Sequence, residues 1–533
     1  MTENKQDLPL RKTRAGQKME TRPLHVEEWL DSLPYIDFNK TSRILEEATR
    51  ATNLEALKPD VRLELVELYS RPYLYYVDSQ IRTGAQHTLH SIETMQAQID
   101  VLKRIAVNLA YAARLATEEA LKQKSLWRKS RPPLQAMLFN MNYLSHALVF
   151  SFQEYTPAPK NVWKELHFIY DFAADLAQEN ASLALPAGDT RHKSMSISQA
   201  YKRILLATLA DPYHLPFGAI WEIHEQLFSW TDLTSIRPFS RVPDPAGHFV
   251  INPDSDKPPI PCNKFNQDKG KERYLLLDAT ALTRLVHDRL AAWSGKPPGD
   301  LSSLSPYYAE LILKHLSRAW HLPPKRLLPR HQSSGSVSIA YGVNAAHFFF
   351  NNEQGFRPPV RAESEEIIAG EPVYDEDQDI TPDHNHKVDT WALVDQGTGG
   401  IALGREDKPA ISIRVGELVA IMPARDRSTW SAGIIRWLMA QRDGTHKIGL
   451  EILSDSVQPA AIRAGSGSEL DRRYRQCLLV MDESNKQPAS VIVAKGLYIR
   501  QREMEIVAAG KHRHIHAGEL IEASVAFEHF IPE

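Results

Sequence analysis

The stretch WALVDQGTGGIALG, Trp391–Gly404, carries four glycines within eight positions and is flanked by apolar residues. A glycine-rich turn cradles a phosphate when it opens a helix, and makes a tight hairpin when strands flank it. A P-loop needs a Lys-Ser/Thr pair after its glycines and then a helix. Here Gly400 runs straight into the strand-like IALG, with no lysine in place. A dinucleotide fingerprint needs strand, turn and helix in that order, and fails on the same ground. The stretch therefore reads as a turn between two strands.

Its surroundings agree. GSVSIAYG, from Gly335 to Gly342, places Val337, Ile339 and Tyr341 on one face and Ser336, Ser338 and Ala340 on the other, the alternation of a half-buried strand. Beyond the glycine turn, ISIRVGELVAIMP, WSAGIIRWLMA and HKIGLEIL read as further strands. Turn signals recur roughly every 8 to 15 residues, which suggests an antiparallel barrel or sandwich. The acidic segment 353–389, with YDEDQDITPDHNH, reads as a solvated insertion. After a break near 455–470 come RQCLLVM, ASVIVAKGLYIRQREMEIVAAG and LIEASVAFEHFIP, strands that either form a second small β unit or extend the first.

Upstream, residues 25–324 are mainly helical. Ile92, Met95, Ile99, Leu102, Ala106, Leu109 and Ala113 step by alternating threes and fours, a narrow apolar seam read as an intramolecular contact on a helix over 88–125. NVWKELHFIYDFAADLAQ and GAIWEIHEQLFSW continue the pattern, and QAYKRILLATLADPYHL runs apolar up to Asp211-Pro212, where proline stops a helix. The proline-rich segment 236–265 reads as a loop or small β excursion within the helical region.

The 533 residues exceed what one core holds, so several domains are expected. A net charge of −3 argues against bulk nucleic-acid binding but leaves a small anionic ligand open, since that needs only a few local arginines. Two distant cysteines, Cys262 and Cys477, fit a reducing compartment and form no metal-like spacing. The polar first residues, 1–24, read as a disordered tail without signal peptide or anchor, so a cytoplasmic protein with no membrane span is expected.

Taken together, the order of features around Trp391–Gly404 resembles the PilZ domain, the bacterial receptor module for cyclic diguanylate (c-di-GMP). Arg326 and Arg330 stand four apart before the first strand. Asp395, Gly397, Gly399 and Gly400 stand in the later turn. Gly416, Arg436 with Trp437, and Gly449 fall on or between the following strands. The resemblance covers 325–455. It implies a PilZ-like antiparallel β-barrel with the acidic insertion (325–455), which with the helical N-terminal region (25–324) and the C-terminal β extension (456–533) read above makes an α+β multidomain chain. It also implies that Arg326 and Arg330 place planar forks on a phosphate or a guanine edge. Asp395 would accept from the guanine N1–H and N2–H₂ donors, and Gly397, Gly399 and Gly400 would admit the ligand to the backbone. The chain departs from the family in two ways. Gly397 stands where the family turn has serine, and 395 − 330 = 65 residues separate Arg330 from Asp395, a lengthening due to the insertion.

Other features stay structural. RPFSR, with Arg237 and Arg241, repeats the arginine spacing without a barrel strand after it. His512, His514 and His516 read as exposed strand histidines, and DHNH (Asp383–His386) as loop composition. No catalytic motif is found. The expectation is a non-enzymatic c-di-GMP receptor that requires no cofactor and passes occupancy to a protein partner through its helical region. The alternative is a PilZ-like adaptor that binds proteins only.

Overall fold

A computed structural model describes residues 20–533 apart from 87–91, 123–132, 270–272, 302–303, 305, 322–330, 333, 360–385, 398, 408, 410–412, 424–428, 466, 468–472, 483–487 and 525. Most of the expected tail and the centre of the acidic insertion thus lie outside the described residues. The chain forms two compact units: residues 1–212 with 217–325, and residues 213–216 with 326–533.

The first unit carries α1 (Pro23–Asp31), α2 (Phe38–Thr52), α3 (Pro59–Gln86), α4 (Ile92–Lys122), α5 (Leu134–Gln153) and α6 (Val162–Asp175). They are followed by α7 (Ile197–Leu209), α8 (Ala219–Trp230), α9 (Thr280–Ala291) and α10 (Pro306–Trp320). The seam on α4 is buried from Met95 to Ala113 and packs within the unit against α3 and α5. Helix α5 is buried along nearly its whole length and touches α4, α6, α7 and α8, which makes it the centre of the bundle. Helix α7 starts at a capping box: Ser196 Oγ accepts from Gln199 N while Gln199 Oε1 accepts from Ser196 N, both at 3.0 Å. It stops before Asp211, whose φ of 53° is left-handed, and Pro212.

A two-residue hairpin of β1 (Leu183–Ala184) and β2 (Ser194–Met195) decorates the bundle. The proline-rich excursion is more regular than its sequence suggests. β3 (Ser235–Pro238), β4 (His248–Ile251), β5 (Ile260–Pro261) and β6 (Leu275–Asp278) form one antiparallel sheet in the order β3–β6–β4–β5. The alternation in these strands is masked because Val250, Cys262 and Leu276 build a small core of their own with Phe239, Phe265 and Tyr274.

The second unit opens with the short β7 (His331–Gln332), then β8 (Ser336–Tyr341) and α11 (Val343–Phe350). β9 (Val388–Gly397), β10 (Gly400–Arg405), β11 (Leu418–Pro423), β12 (Ser431–Ala440) and β13 (His446–Ser454) follow. The sheet closes on itself in the order β8–β9–β10–β13–β12–β11, every pairing antiparallel, because β11 returns to β8. Val337, Ile339 and Tyr341 face the interior opposite Trp391, Ile421 and Val419. On the other face Ser336 is exposed and Ser338 partly so, but Ala340 is fully buried, so β8 is half-buried only in its first part. Helix α11, unforeseen in the sequence, packs on that outer face.

The C-terminal strands form a second closed barrel. β14 (Val457–Ala464), β15 (Arg475–Met481), β16 (Pro488–Ala494), β17 (Glu503–Ala508), β18 (Lys511–Ala523) and β19 (Phe527–Pro532) run in the order β14–β15–β16–β19–β18–β17, with β14 closing on β17. Only Asp455 and Ser456 separate the two barrels along the chain. Leu478, Ile492 and Phe527 from the outside of the second barrel meet Ala346 and Phe349 of α11 and Leu418, Ala420 and Ile434 of the first. The helix therefore shares one apolar core with both barrels.

Candidate ligand-binding site

The site grows from the β9–β10 hairpin. Gly397 pairs with Gly400 across a two-residue turn, Gln396 with Ile401 and Asp395 with Ala402, and a bulge follows between Ala402 and Leu403. On the other flank of β9, β7 pairs His331 with Gln396 and Gln332 with Asp395. Arg326 and Arg330 lie outside the described residues, as does Thr398 in the turn. His331, which follows Arg330 in the chain, is registered opposite Gln396, the residue after Asp395. The second arginine pair behaves otherwise: Arg237 sits on β3 in the helical unit, and Arg241 pairs with Asp268 at 3.4 Å on the surface.

Asp395 is half-buried and Gly399 exposed. The glycines of the turn differ in what they make room for. A Cβ on Gly400 would come within 2.5 Å of the Leu450 carbonyl oxygen on β13, so the close approach of a neighbouring strand already demands glycine there. A Cβ on Gly399 would meet nothing within 4 Å, which leaves open space beside its backbone. Its carbonyl accepts from Ile452 N at 3.2 Å, tying the turn to β13.

Gly400 is registered opposite Glu451 on β13. Glu451 accepts from Arg436 Nε at 2.6 Å, and Arg436 reaches Glu522 of β18 through Nη1 at 2.5 Å and Nη2 at 2.9 Å. Burial works against the Arg436 charge, but Glu522 and Glu451 outweigh it and raise its pKa further. Arg436 thus holds barrel to barrel. Its neighbour Trp437 lies over Gly449, where a Cβ would overlap the indole.

Behind the hairpin, a polar chain crosses the interior of the first barrel. Trp391 Nε1 donates to the Tyr341 hydroxyl at 2.8 Å, and that hydroxyl donates to Asp389 Oδ2 at 3.1 Å. Arg405 Nη1 pairs with Asp389 Oδ1 at 2.6 Å. Burial, together with the Asp389 charge, pushes the Tyr341 hydroxyl far above its ordinary range, so it stays a donor. The network fixes β8, β9 and β10 behind the turn. Sequence reasoning missed Asp389, Tyr341 and Arg405. A carboxylate at an inward position of an otherwise apolar strand was the signal available, but it fell at the edge of the segment read as insertion.

The strand histidines are engaged locally: His512 Nδ1 lies 2.7 Å from Glu505 Oε1, and His514 Nδ1 lies 4.0 Å from Glu503. Among the described residues, no group of three His, Cys, Asp or Glu side chains could hold a metal. Among them also, no helix is long and apolar enough to cross a membrane.

A closed six-stranded antiparallel barrel, fed by an arginine-bearing segment and carrying an Asp-to-Gly hairpin, defines a multidomain protein built on a PilZ-type barrel. The chain belongs to the PilZ domain family, in the form that follows a helical N-terminal region. The family model for the cyclic-di-GMP receptor FimW, N-terminal domain, matches residues 24–241. That for the cyclic-di-GMP receptor FimW, middle PilZ domain, matches 248–382 and 371–459. The chain is 23% identical to the cyclic-di-GMP receptor FimW of Pseudomonas aeruginosa, over 92% of this chain and 87% of that protein.

Proposed function

We propose that this protein is a cytoplasmic, non-enzymatic receptor for c-di-GMP. Arg326 and Arg330 bind phosphate or guanine edges, Asp395 accepts from a guanine Watson–Crick edge, and Gly397, Gly399 and Gly400 admit the ligand to the turn backbone. The observation that carries this reading is the pairing of β7 with β9, His331 to Gln396 and Gln332 to Asp395. His331, the residue after Arg330 in the chain, is thereby paired with the strand that carries Asp395, which supports the two parts of the motif acting together. The likeness to a c-di-GMP receptor over most of the chain supports the same ligand. The arginine segment begins where the chain passes from the helical unit into the second, one of three passages between them. Contact of the ligand with it is a direct way to pass occupancy to the helical unit and from there to a protein partner.

One observation favours the alternative of a PilZ-like adaptor without ligand: Gly397 replaces the serine of the family turn and removes a hydroxyl contact. Calorimetric titration of c-di-GMP into the wild type, Arg326→Ala, Arg330→Ala and Asp395→Ala separates the two. Binding by the wild type that weakens at least tenfold in each variant is expected. Absence of heat with the folded wild type favours the adaptor, and equal affinity in all four proteins overturns the residue assignment.

A further inference from the structure

The second barrel carries a cavity of its own. Small barrels fill their interiors with side chains, and this one does so through most of its height, with Ile462, Cys477, Val491, Val493, Met504 and Phe530 buried. At one end the filling stops. The inward register there continues with Gln458 on β14, Met481 on β15 and Ala508 on β17, and a cavity of about 390 Å³ opens. Leu479, Ile506 and Ile515 form its apolar floor.

Strand β18 decides the chemistry. Met504 pairs with Ile515, Ile506 with Arg513 and Ala508 with Lys511. Directly opposed residues of an antiparallel pair share a face. Since Met504 and Ile506 are buried in the barrel core, Arg513 and Lys511 stand on the inward register, at the rim of the cavity beside His514. The carboxylate in the lining is Glu533, whose Oε2 accepts from Gln501 Nε2 at 2.9 Å. Two cationic side chains stand with the Glu533 side-chain carboxylate above an apolar floor. Cationic rims also keep strand ends soluble, but solubility gives no reason for apolar space below the charges.

We propose that this mouth binds a small organic anion with an apolar body, its acid group held by Arg513 and Lys511 and its body resting on Leu479, Ile506 and Ile515. Arginine offers a planar fork to a carboxylate or a phosphate. The volume is at the lower end for small-molecule sites, so the body has the size of one phenyl ring or a short acyl chain. The site lies on strands distinct from the β7–β9–β10 hairpin, and all of its lining except Gln458 falls beyond residue 459, where the matched PilZ stretch ends.

The test titrates octanoate and phenyl phosphate separately into the full chain, wild type and Lys511→Gln/Arg513→Gln, with c-di-GMP titrated in parallel. Both exchanges fall on exposed side chains, so folding is retained. Binding of one or both probes is expected, weakened about tenfold or more in the double variant, with the c-di-GMP titration unchanged. Which probe binds more tightly assigns the acid group. Ala508→Leu, which fills the mouth, is expected to abolish probe binding. The proposal is overturned if neither probe binds the wild type, if the double variant binds both as the wild type does, or if a c-di-GMP response is lost together with theirs.

Discussion

Arg436 of the first barrel and Glu522 of the second meet end to end, both terminal guanidinium nitrogens on one carboxylate, at 2.5 and 2.9 Å. The third nitrogen, Nε, holds Glu451, the residue registered opposite Gly400 of the hairpin. One side chain therefore ties the turn that carries the candidate site to a barrel with a separate core. Arg436 is 36% exposed, so solvent screening discounts the pair. Arg436→Ala is expected to cost about 1–2 kcal/mol, seen as a melting temperature lowered by a few degrees. Arg436→Lys should recover only part of this, because an ammonium cannot make the two-pronged contact. Full recovery by lysine would show that charge alone matters.

Gly399 and Gly400 are adjacent and separable. Gly400→Ala drives a Cβ onto the Leu450 carbonyl oxygen and must part β10 from β13. A loss of about 1–3 kcal/mol is expected in chemical denaturation. Gly399→Ala meets open space, so its stability should stay within about 0.5 kcal/mol of the wild type. If the ligand approaches the backbone there, the same change weakens c-di-GMP binding. A Gly399→Ala protein that melts normally and binds normally would remove Gly399 from the site.

The polar chain inside the first barrel makes a graded prediction. Tyr341→Phe leaves Trp391 Nε1 without its acceptor and Asp389 without one donor, for about 1–2 kcal/mol. Asp389→Asn removes the buried carboxylate that faces Arg405 and should cost more, about 2–4 kcal/mol. Denaturant midpoints should fall in the order wild type, Tyr341→Phe, Asp389→Asn. The reverse order would mean that the hydroxyl rather than the carboxylate holds the network.

Much of this fold is legible in the sequence wherever one face of an element is wet. The α4 seam shows its period because its other face is polar, and Val337, Ile339 and Tyr341 announce β8 in the same way. Legibility ends where both faces are covered. Helix α11 reads VNAAHFFF, too short and too apolar for a period, because both barrels bury it. The sheet over 235–278 is legible only as a loop or small β excursion for a different reason: its strands have two to four residues, too few to show a period. In the site, the hairpin is readable from Asp395 and its glycines. The Arg436–Glu522 contact joins residues 86 apart on different barrels, and no local pattern encodes it.

Acid should weaken the helical unit through histidines held neutral. Burial, reinforced by nearby Arg203, pushes the pKa of His146 down to about 3, and burial with Arg203 and His146 lowers that of His224 as well. Unfolded histidine titrates near 6.5. Between these values the unfolded chain binds a proton that the folded chain refuses. The stabilisation is therefore complete above about pH 6.5 and is lost as the pH falls toward 3. For His146 alone the loss between pH 7 and pH 5 is about 2 kcal/mol. Half-exposed and buried carboxylates such as Glu165 and Glu222, raised by burial, work in the opposite direction over the lower part of that range. A difference measurement removes them. His146→Gln keeps a polar partner for the Tyr73 hydroxyl, which lies 3.0 Å from His146 Nδ1. The stability gap between wild type and variant, taken from urea unfolding, should shrink by about 2 kcal/mol from pH 7 to pH 5. A gap that does not change with pH would mean that folding leaves the His146 pKa where it is in the unfolded chain.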